Sequence, residues 1–124
     1  VDAACSWSGP IDLQNMDCGE GMKMPTSPEE ELIGVPMSEK PDKYALLSPI
    51  HYVDANDPPI MVFHGTEDNV VPYCQGERFA KALKDAGAKY QFNRVEGGGH
   101  GFNMYSEENL QKMVNFFNEA RKNK

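Results

Sequence analysis

The pattern of apolar and polar positions predicts three strands, of which the central one is the clearest. Residues 60–63 read IMVF, an uninterrupted apolar run that is bounded by Pro59 and by His64. Such a run is typical of a strand covered on both faces, as in a parallel sheet. The small apolar residues 1–7 predict a short buried first strand, and the alternating residues 90–95 predict a third strand.

Helical spacing predicts two longer helices and two short ones. One longer helix opens at Pro72 and closes at Gly87, and the last helix begins after Ser106. Short helices are predicted over 28–33 and 41–47. The apolar stripe predicted for the last helix consists of Leu110, Met113, Val114, Phe117 and Ala120.

The order of these elements predicts an α/β fold. Strands alternate with helices after a loop over 11–27, so the connections should be right-handed crossovers onto a parallel sheet of about three strands with flanking helices. With 124 residues, of which 40% are hydrophobic, the chain can bury a core, and its length suits one domain.

Charge and hydropathy exclude some partners. The chain carries 12 basic and 19 acidic residues, and its net charge of -7 opposes binding to nucleic acid or to an anionic membrane surface. No apolar run approaches the ~20 residues of a membrane span, and no basic segment leads an apolar one as in a signal peptide. We expect a soluble chain without a nucleic-acid partner, and both a cytoplasmic and a secreted location stay open.

Cysteine and histidine spacing gives no sign of a metal centre. The three cysteines are Cys5, Cys18 and Cys74. An odd number without C-x-x-C predicts neither a disulfide framework nor a zinc site, and their redox state stays open. The side chains that could bind a metal ion are His64, Glu67, Asp68, Cys74 and His100. They lack paired spacing such as H-x-x-x-H, so we expect no metal.

Two loops carry residues suited to acid–base chemistry. Asp68 lies five residues past Phe63, in HGTEDNVVP, and His100 lies five residues past Val95, in GGGHGF. Loops after parallel strands that are joined by one crossover project from the same rim of a sheet, so the two side chains can meet. A carboxylate on the imidazole Nδ1–H fixes the tautomer that a general base needs.

These two loops and the opening AACSWSGPIDL resemble the C-terminal half of the α/β-hydrolase esterase/lipase family, notably the carbohydrate esterases that act on acetylated or feruloylated xylan. The resemblance implies that residues 1–124 are the C-terminal portion of one α/β-hydrolase domain, with a cap region over 11–57 and a strand-helix-strand-helix unit over 58–124. It implies that Asp68 and His100 are the acid and base of a Ser-Asp-His triad. It also implies an ester or acylated-carbohydrate substrate and no cofactor.

The nucleophile of that family is missing from the chain. The family carries its serine in G-x-S-x-G on a strand-to-helix turn, before the acid and the base, and this sequence contains no such motif. Ser6 and Ser8 are the only serines near a strand end upstream of Asp68, and they lack the preceding glycine. We therefore expect the nucleophile to be absent from this chain and the 124 residues alone to be inactive.

Several alternatives stay open. A prolyl-oligopeptidase-type peptidase and a dienelactone-type hydrolase share the same two loops, and a noncatalytic interaction module could retain the scaffold. We expect His64 to be structural and His51 to be a loop residue. If strand 1–7 lacks a neighbour, its free edge should promote self-association.

Overall fold

The computed structural model describes residues 1–19 and 28–123 and contains one three-stranded parallel sheet. The elements are β1 (Ala4–Trp7), α1 (Pro28–Ile33), α2 (Pro41–Leu46), a 3₁₀ helix (Pro49–Tyr52), β2 (Ile60–Gly65), α3 (Tyr73–Ala86), β3 (Tyr90–Val95) and α4 (Glu107–Lys122). The strand order is β1-β2-β3. The predicted α/β fold with three parallel strands is confirmed. The loop predicted over 11–27 is described as far as residue 19, and its remainder lies outside the described residues.

The central strand β2 separates two layers of core. On one face Val62 packs with Phe79 and Leu83 of α3, and on the other Met61 and Phe63 pack with α4. The prediction that this strand ends at residue 63 is wrong: the strand continues through His64 and Gly65 to pair with Arg94 and Val95 of β3. A histidine and a glycine do not interrupt a ladder when both are buried between neighbours.

The predicted apolar stripe of α4 is partly wrong. Phe116 is the buried residue of this helix, whereas Leu110 and Val114 are 39% and 45% exposed. Glu119 and Asn123 line a cleft with strand β3. Because α-helical residues advance by about 100°, Leu110 and Val114 lie on the opposite flank, on the side of β1. None of the helices in the described part of the chain has the length and apolar character of a membrane span.

The first strand is an edge, not a buried strand. It is shorter than the predicted range, spanning four residues, and all four are only half-buried. Ala4 N–H and Ser8 N–H donate to carbonyls of the segment that contains β2. Because backbone groups alternate along a strand, those of Cys5 and Trp7 point away from β2, where no other described strand pairs with them.

The described part of the 11–27 loop is fastened to α3. The buried Gln75 side chain accepts hydrogen bonds from Ile11 N and Asp12 N at 2.9 and 2.8 Å, and it donates to Asn15 O and Met16 O at 3.0 and 3.1 Å. This glutamine therefore replaces the backbone partners that an irregular segment lacks.

A disulfide completes this attachment. Cys18 and Cys74 are bonded, with Cα atoms 6.3 Å apart, so the expectation of no disulfide framework is wrong. Cys5 is the free thiol that leaves the cysteine count odd. Spacing did not reveal the pair because its partners are 56 residues apart and meet only when the loop docks on α3.

We predict that replacing Cys18 and Cys74 together by serine lowers the free energy of unfolding by about 2 to 4 kcal/mol, because the crosslink restricts the unfolded chain over a long loop. Urea unfolding of the oxidised chain and the double variant measures this difference. The free-thiol variant Cys5→Ser is the control for loss of a cysteine. Equal midpoints for the oxidised chain and the double variant would contradict the prediction.

We propose that two copies of the chain pair through the open edge of β1. Antiparallel pairing about a two-fold axis normal to the sheet would also bring the exposed Leu110 and Val114 flanks together on one face. We expect light scattering to detect dimers or larger species. Cys5→Pro should return the chain to monomer because it removes an outward N–H, whereas Leu46→Lys, elsewhere on the surface, should not. A monomeric wild-type chain at high concentration would refute the pairing.

Candidate active site

The loops that follow β2 and β3 are joined through their backbones. Glu67 N–H donates to Gly98 O at 2.9 Å, and Thr66 N–H donates to Val95 O at 3.1 Å. In the other direction, Gly97 N–H donates to the Thr66 hydroxyl at 2.9 Å. The two loops therefore form one unit at the carboxyl end of the sheet.

Glycine on both sides of this junction avoids collisions, with backbone at Gly65 and with two neighbouring side chains at Gly98. A Cβ on Gly65 would lie 2.1 Å from the Gly98 carbonyl oxygen, which is rigid backbone. A Cβ on Gly98 would lie 2.7 Å from Met104 Sδ and 2.9 Å from Val95 Cγ1. Close approach of the two backbones sets the distance between the residues that each loop carries.

Asp68 is buried and organises its own turn. Its side chain is fully buried, and Oδ1 accepts hydrogen bonds from Val70 N and Val71 N at 2.9 and 2.8 Å. An aspartate that caps the following backbone in this way holds a tight turn. Because Oδ1 is satisfied within the turn, Oδ2 is the oxygen directed at other side chains.

The structure brings Asp68 and His100 together. His100 Nδ1 lies 3.0 Å from Asp68 Oδ2. A carboxylate at this distance accepts the Nδ1–H, which leaves Nε2 of the neutral ring unprotonated. The His100 side chain is 41% exposed, in contrast to the fully buried aspartate. The backbone turns sharply just after the ring, where Gly101 has φ 90°. This arrangement can orient an imidazole and stabilise its protonated form.

A second histidine, His64, lies behind Asp68. Its Nε2–H donates to Val71 O at 2.8 Å, and the same nitrogen is 3.6 Å from Asp68 Oδ2. Burial lowers the pKa of His64, against the opposing effects of the Val71 carbonyl and the Asp68 carboxylate. The ring is therefore neutral near pH 7. The prediction of a structural role for His64 did not include this closeness to the acid.

The two candidate serines lie at the end of β1 and are not bonded to the histidine. Ser8 is buried at φ 54°, and its hydroxyl has no hydrogen-bond partner among the described residues. Ser6 is half-buried within the strand. The neighbouring Cys5 is a poor nucleophile, because burial raises the pKa of its thiol to about 11 despite a hydrogen bond with Trp7.

The remaining candidate ligands are not assembled into a centre. Among residues 1–19 and 28–123, no group of three or more His, Cys, Asp and Glu side chains could hold a metal ion. Cys74 is committed to its disulfide. His51 is exposed, with Nε2 3.4 Å from Gln14 Oε1.

An aromatic cluster that was not predicted from the sequence connects β1 with the histidine loop. The rings of Trp7 and Phe63 stack with centroids 4.0 Å apart, and Tyr105 lies 5.0 Å from Trp7. The segment after His100 therefore folds back over the end of β1. Trp7 and Phe63, which end the first two strands as predicted from the sequence, were the sequence signal for this contact.

Two family models match the chain. The BD-FAE model matches residues 1–83, and the dienelactone hydrolase family model matches residues 44–123. Each covers more than half of the chain, and together they span both loops of the site.

Solved structures and curated proteins agree with these matches. A truncated carbohydrate esterase from gut microbiota superposes with a TM-score of 0.89 at 40% identity, covering 97% of this chain and 42% of that one. A puromycin-hydrolyzing peptidase of Mycobacterium tuberculosis superposes with a TM-score of 0.66 at 32% identity, over 82% of this chain and 15% of the peptidase. Esterase LipQ of the same organism is 33% identical over 84% of this chain, which spans 25% of LipQ.

We predict that Gly65→Ala lowers the free energy of unfolding by about 1 to 3 kcal/mol, because its methyl group collides with the Gly98 carbonyl. The matched control is Gly99→Ala: a Cβ there meets Phe102 Cβ at an ordinary 3.5 Å, so the change should stay within about 0.5 kcal/mol. Denaturant midpoints measure both. Equal midpoints for the two variants would show that the backbone junction does not constrain the loops.

Proposed function

We propose an activity from one premise: the chain belongs to the BD-FAE and dienelactone hydrolase families and is part of an α/β-hydrolase of esterase type. We infer that it supplies the acid and the base of a serine carboxylic-ester hydrolase, with Asp68 as the orienting acid and His100 as the general base. The observation that carries this proposal is the 3.0 Å contact between His100 Nδ1 and the buried Asp68 Oδ2.

The proposed chemistry uses the exposed nitrogen of His100. Nε2 takes the proton of a serine hydroxyl as the serine oxygen bonds to the ester carbonyl carbon, and Asp68 stabilises the imidazolium that forms. His100 then gives the proton to the departing alcohol as the ester C–O bond breaks. Water repeats the sequence on the acyl-enzyme, releasing the acid and restoring the serine.

The serine itself is proposed to come from outside these 124 residues. The chain spans 42% of the gut carbohydrate esterase and 25% of LipQ, which leaves ample length in such proteins for a nucleophile. The lack of G-x-S-x-G supports the same inference, as does the buried hydroxyl of Ser8, which has no hydrogen-bond partner in the part of the chain that the structure describes. Under this proposal, the isolated chain holds an acid–base pair without the group that it activates.

The proposed substrate is an ester of a carbohydrate. The support is the similarity to a carbohydrate esterase at 40% identity over 97% of this chain. A peptidase is the second candidate, favoured by the structural similarity to the puromycin-hydrolyzing peptidase at a lower TM-score. Esters and amides share the same acyl-transfer steps, so the alcohol or amine side of the substrate distinguishes the two.

We predict that a chimera in which this chain replaces the matching portion of the gut carbohydrate esterase has esterase activity. In that chimera, Asp68→Asn should lower kcat for p-nitrophenyl acetate by about 10⁴-fold, because the imidazole loses the required tautomer. His100→Ala should lower it at least as far. The control His51→Ala changes an exposed histidine outside the site and should leave kcat unchanged.

The isolated chain provides the complementary measurement. It should neither hydrolyse p-nitrophenyl acetate nor react with a fluorophosphonate that labels activated serines. Labelling of Ser6 or Ser8 that disappears in His100→Ala would place the nucleophile inside the chain. Esterase activity that survives His100→Ala in both the chain and the chimera would overturn the assignment of the base.

A further inference from the structure

We propose that His64 is a positioning residue for Asp68, an inference that rests on the proposed function. It holds the turn over residues 68–71 so that Asp68 Oδ2 faces His100. The two histidines therefore have different roles at the Asp68 carboxylate. The exposed ring of His100 exchanges protons, and the buried ring of His64 keeps the acid in place.

Val71 links His64 to the acid. Its N–H donates to Asp68 Oδ1 at 2.8 Å, and its carbonyl accepts from His64 Nε2–H at 2.8 Å. The peptide group before Val71 thus contacts the Asp68 side chain, and the peptide group after it contacts the His64 side chain. If His64 no longer donated, a buried carbonyl would lose its partner, and the turn would have to move to recover one. Any such movement rotates the carboxylate that Val71 helps to hold.

The His64 ring is itself fixed by helix α3. A Cβ on Gly76 would lie 2.7 Å from His64 Cβ and 2.8 Å from its Nδ1, so the helix backbone packs directly on the imidazole. The Tyr73 ring stands edge-on to it, with centroids 6.0 Å apart. A ring held on these sides cannot turn Nε2 away from Val71. Helix α3 is thereby connected to the orientation of Asp68 through His64.

The neutrality of His64 matters as much as its position. Its Nε2 is 3.6 Å from Asp68 Oδ2, the same oxygen that lies 3.0 Å from His100 Nδ1. A charged His64 would share this carboxylate with the imidazolium of His100. Because burial keeps His64 neutral, the negative charge of Asp68 remains available to the ring that changes its charge.

The test reads the position of the ring protons in the ¹⁵N-labelled chain by long-range ¹H–¹⁵N spectra at pH ~8, above the ordinary histidine pKa of ~6.5. In the wild-type chain we expect the proton of His100 on Nδ1 and that of His64 on Nε2. His64→Leu should remove the Nδ1–H signal of His100, because the carboxylate no longer faces it. His64→Gln should retain the signal, since its amide N–H can donate to Val71 O.

Two further variants separate positioning from general stability. Val62→Ala removes buried volume from the same strand without touching the turn, so the His100 signal should persist despite a lower unfolding midpoint. Gly76→Ala displaces the His64 ring while keeping the imidazole, so the Nδ1–H signal of His100 should weaken. This variant tests the role of His64 if His64→Leu does not fold.

The outcomes distinguish this inference from the proposed function. An unchanged His100 Nδ1–H signal in Gly76→Ala, or in a folded His64→Leu, would overturn the role of His64 and leave the acid–base pair intact. Loss of the signal in Val62→Ala would assign the effect to stability and would also overturn the inference. A wild-type chain with the His100 proton on Nε2 would remove the pair on which the proposed function stands.

Discussion

The close approach of the Gly65 and Gly98 backbones is the constraint on which the site depends. Their contact allows Glu67 N–H and the Thr66 hydroxyl to bond across the two loops, and it leaves no room for a side chain. Each loop follows a different strand, so neither could position the other through local structure. Parallel pairing of β2 with β3 brings the loops together, and the glycines allow them to touch. The separation of Asp68 from His100 follows from this junction.

Burial of the Asp68 carboxylate is compatible with this arrangement because its oxygens are satisfied in different ways. Two backbone N–H groups bind Oδ1, which fixes the side chain and offsets part of the cost of removing a charge from water. Oδ2 is left for the imidazole of His100. The hydrogen bonds that satisfy the buried Asp68 carboxylate thus also orient it toward His100. The exposed ring of His100 retains access to solvent and to a reacting partner.

Helix α3 connects the site to the irregular part of the chain. Its first turn carries Cys74 and Gln75, which attach the described part of the 11–27 loop to the helix. The same turn carries Gly76, which packs on His64. A single helical segment therefore supports both the loop on one side and the acid turn on the other. In the described sheet both β1 and β3 are edge strands, since β2 lies between them, and the residues of β1 are only half-buried. The chain spans 42% of the gut carbohydrate esterase that it resembles.

The sequence by itself determined the local features of this protein. The IMVF run, the capping Ser106 and the terminal Gly87 predicted strands and helices because periodicity and backbone preference act over a few residues. The positions of Asp68 and His100 after consecutive strands also indicated that they could meet.

Only the tertiary structure decided which residues meet across the fold. Three contacts depend on how the folded segments pack against each other: the Cys18 disulfide, the hydrogen bonds of Gln75 to the loop, and the contact of His64 with the acid turn. The same reason explains the error in the α4 stripe: periodicity identifies an apolar flank, but neighbours determine whether that flank is covered. Long-range packing is set by the whole chain at once, and no short window of sequence contains it.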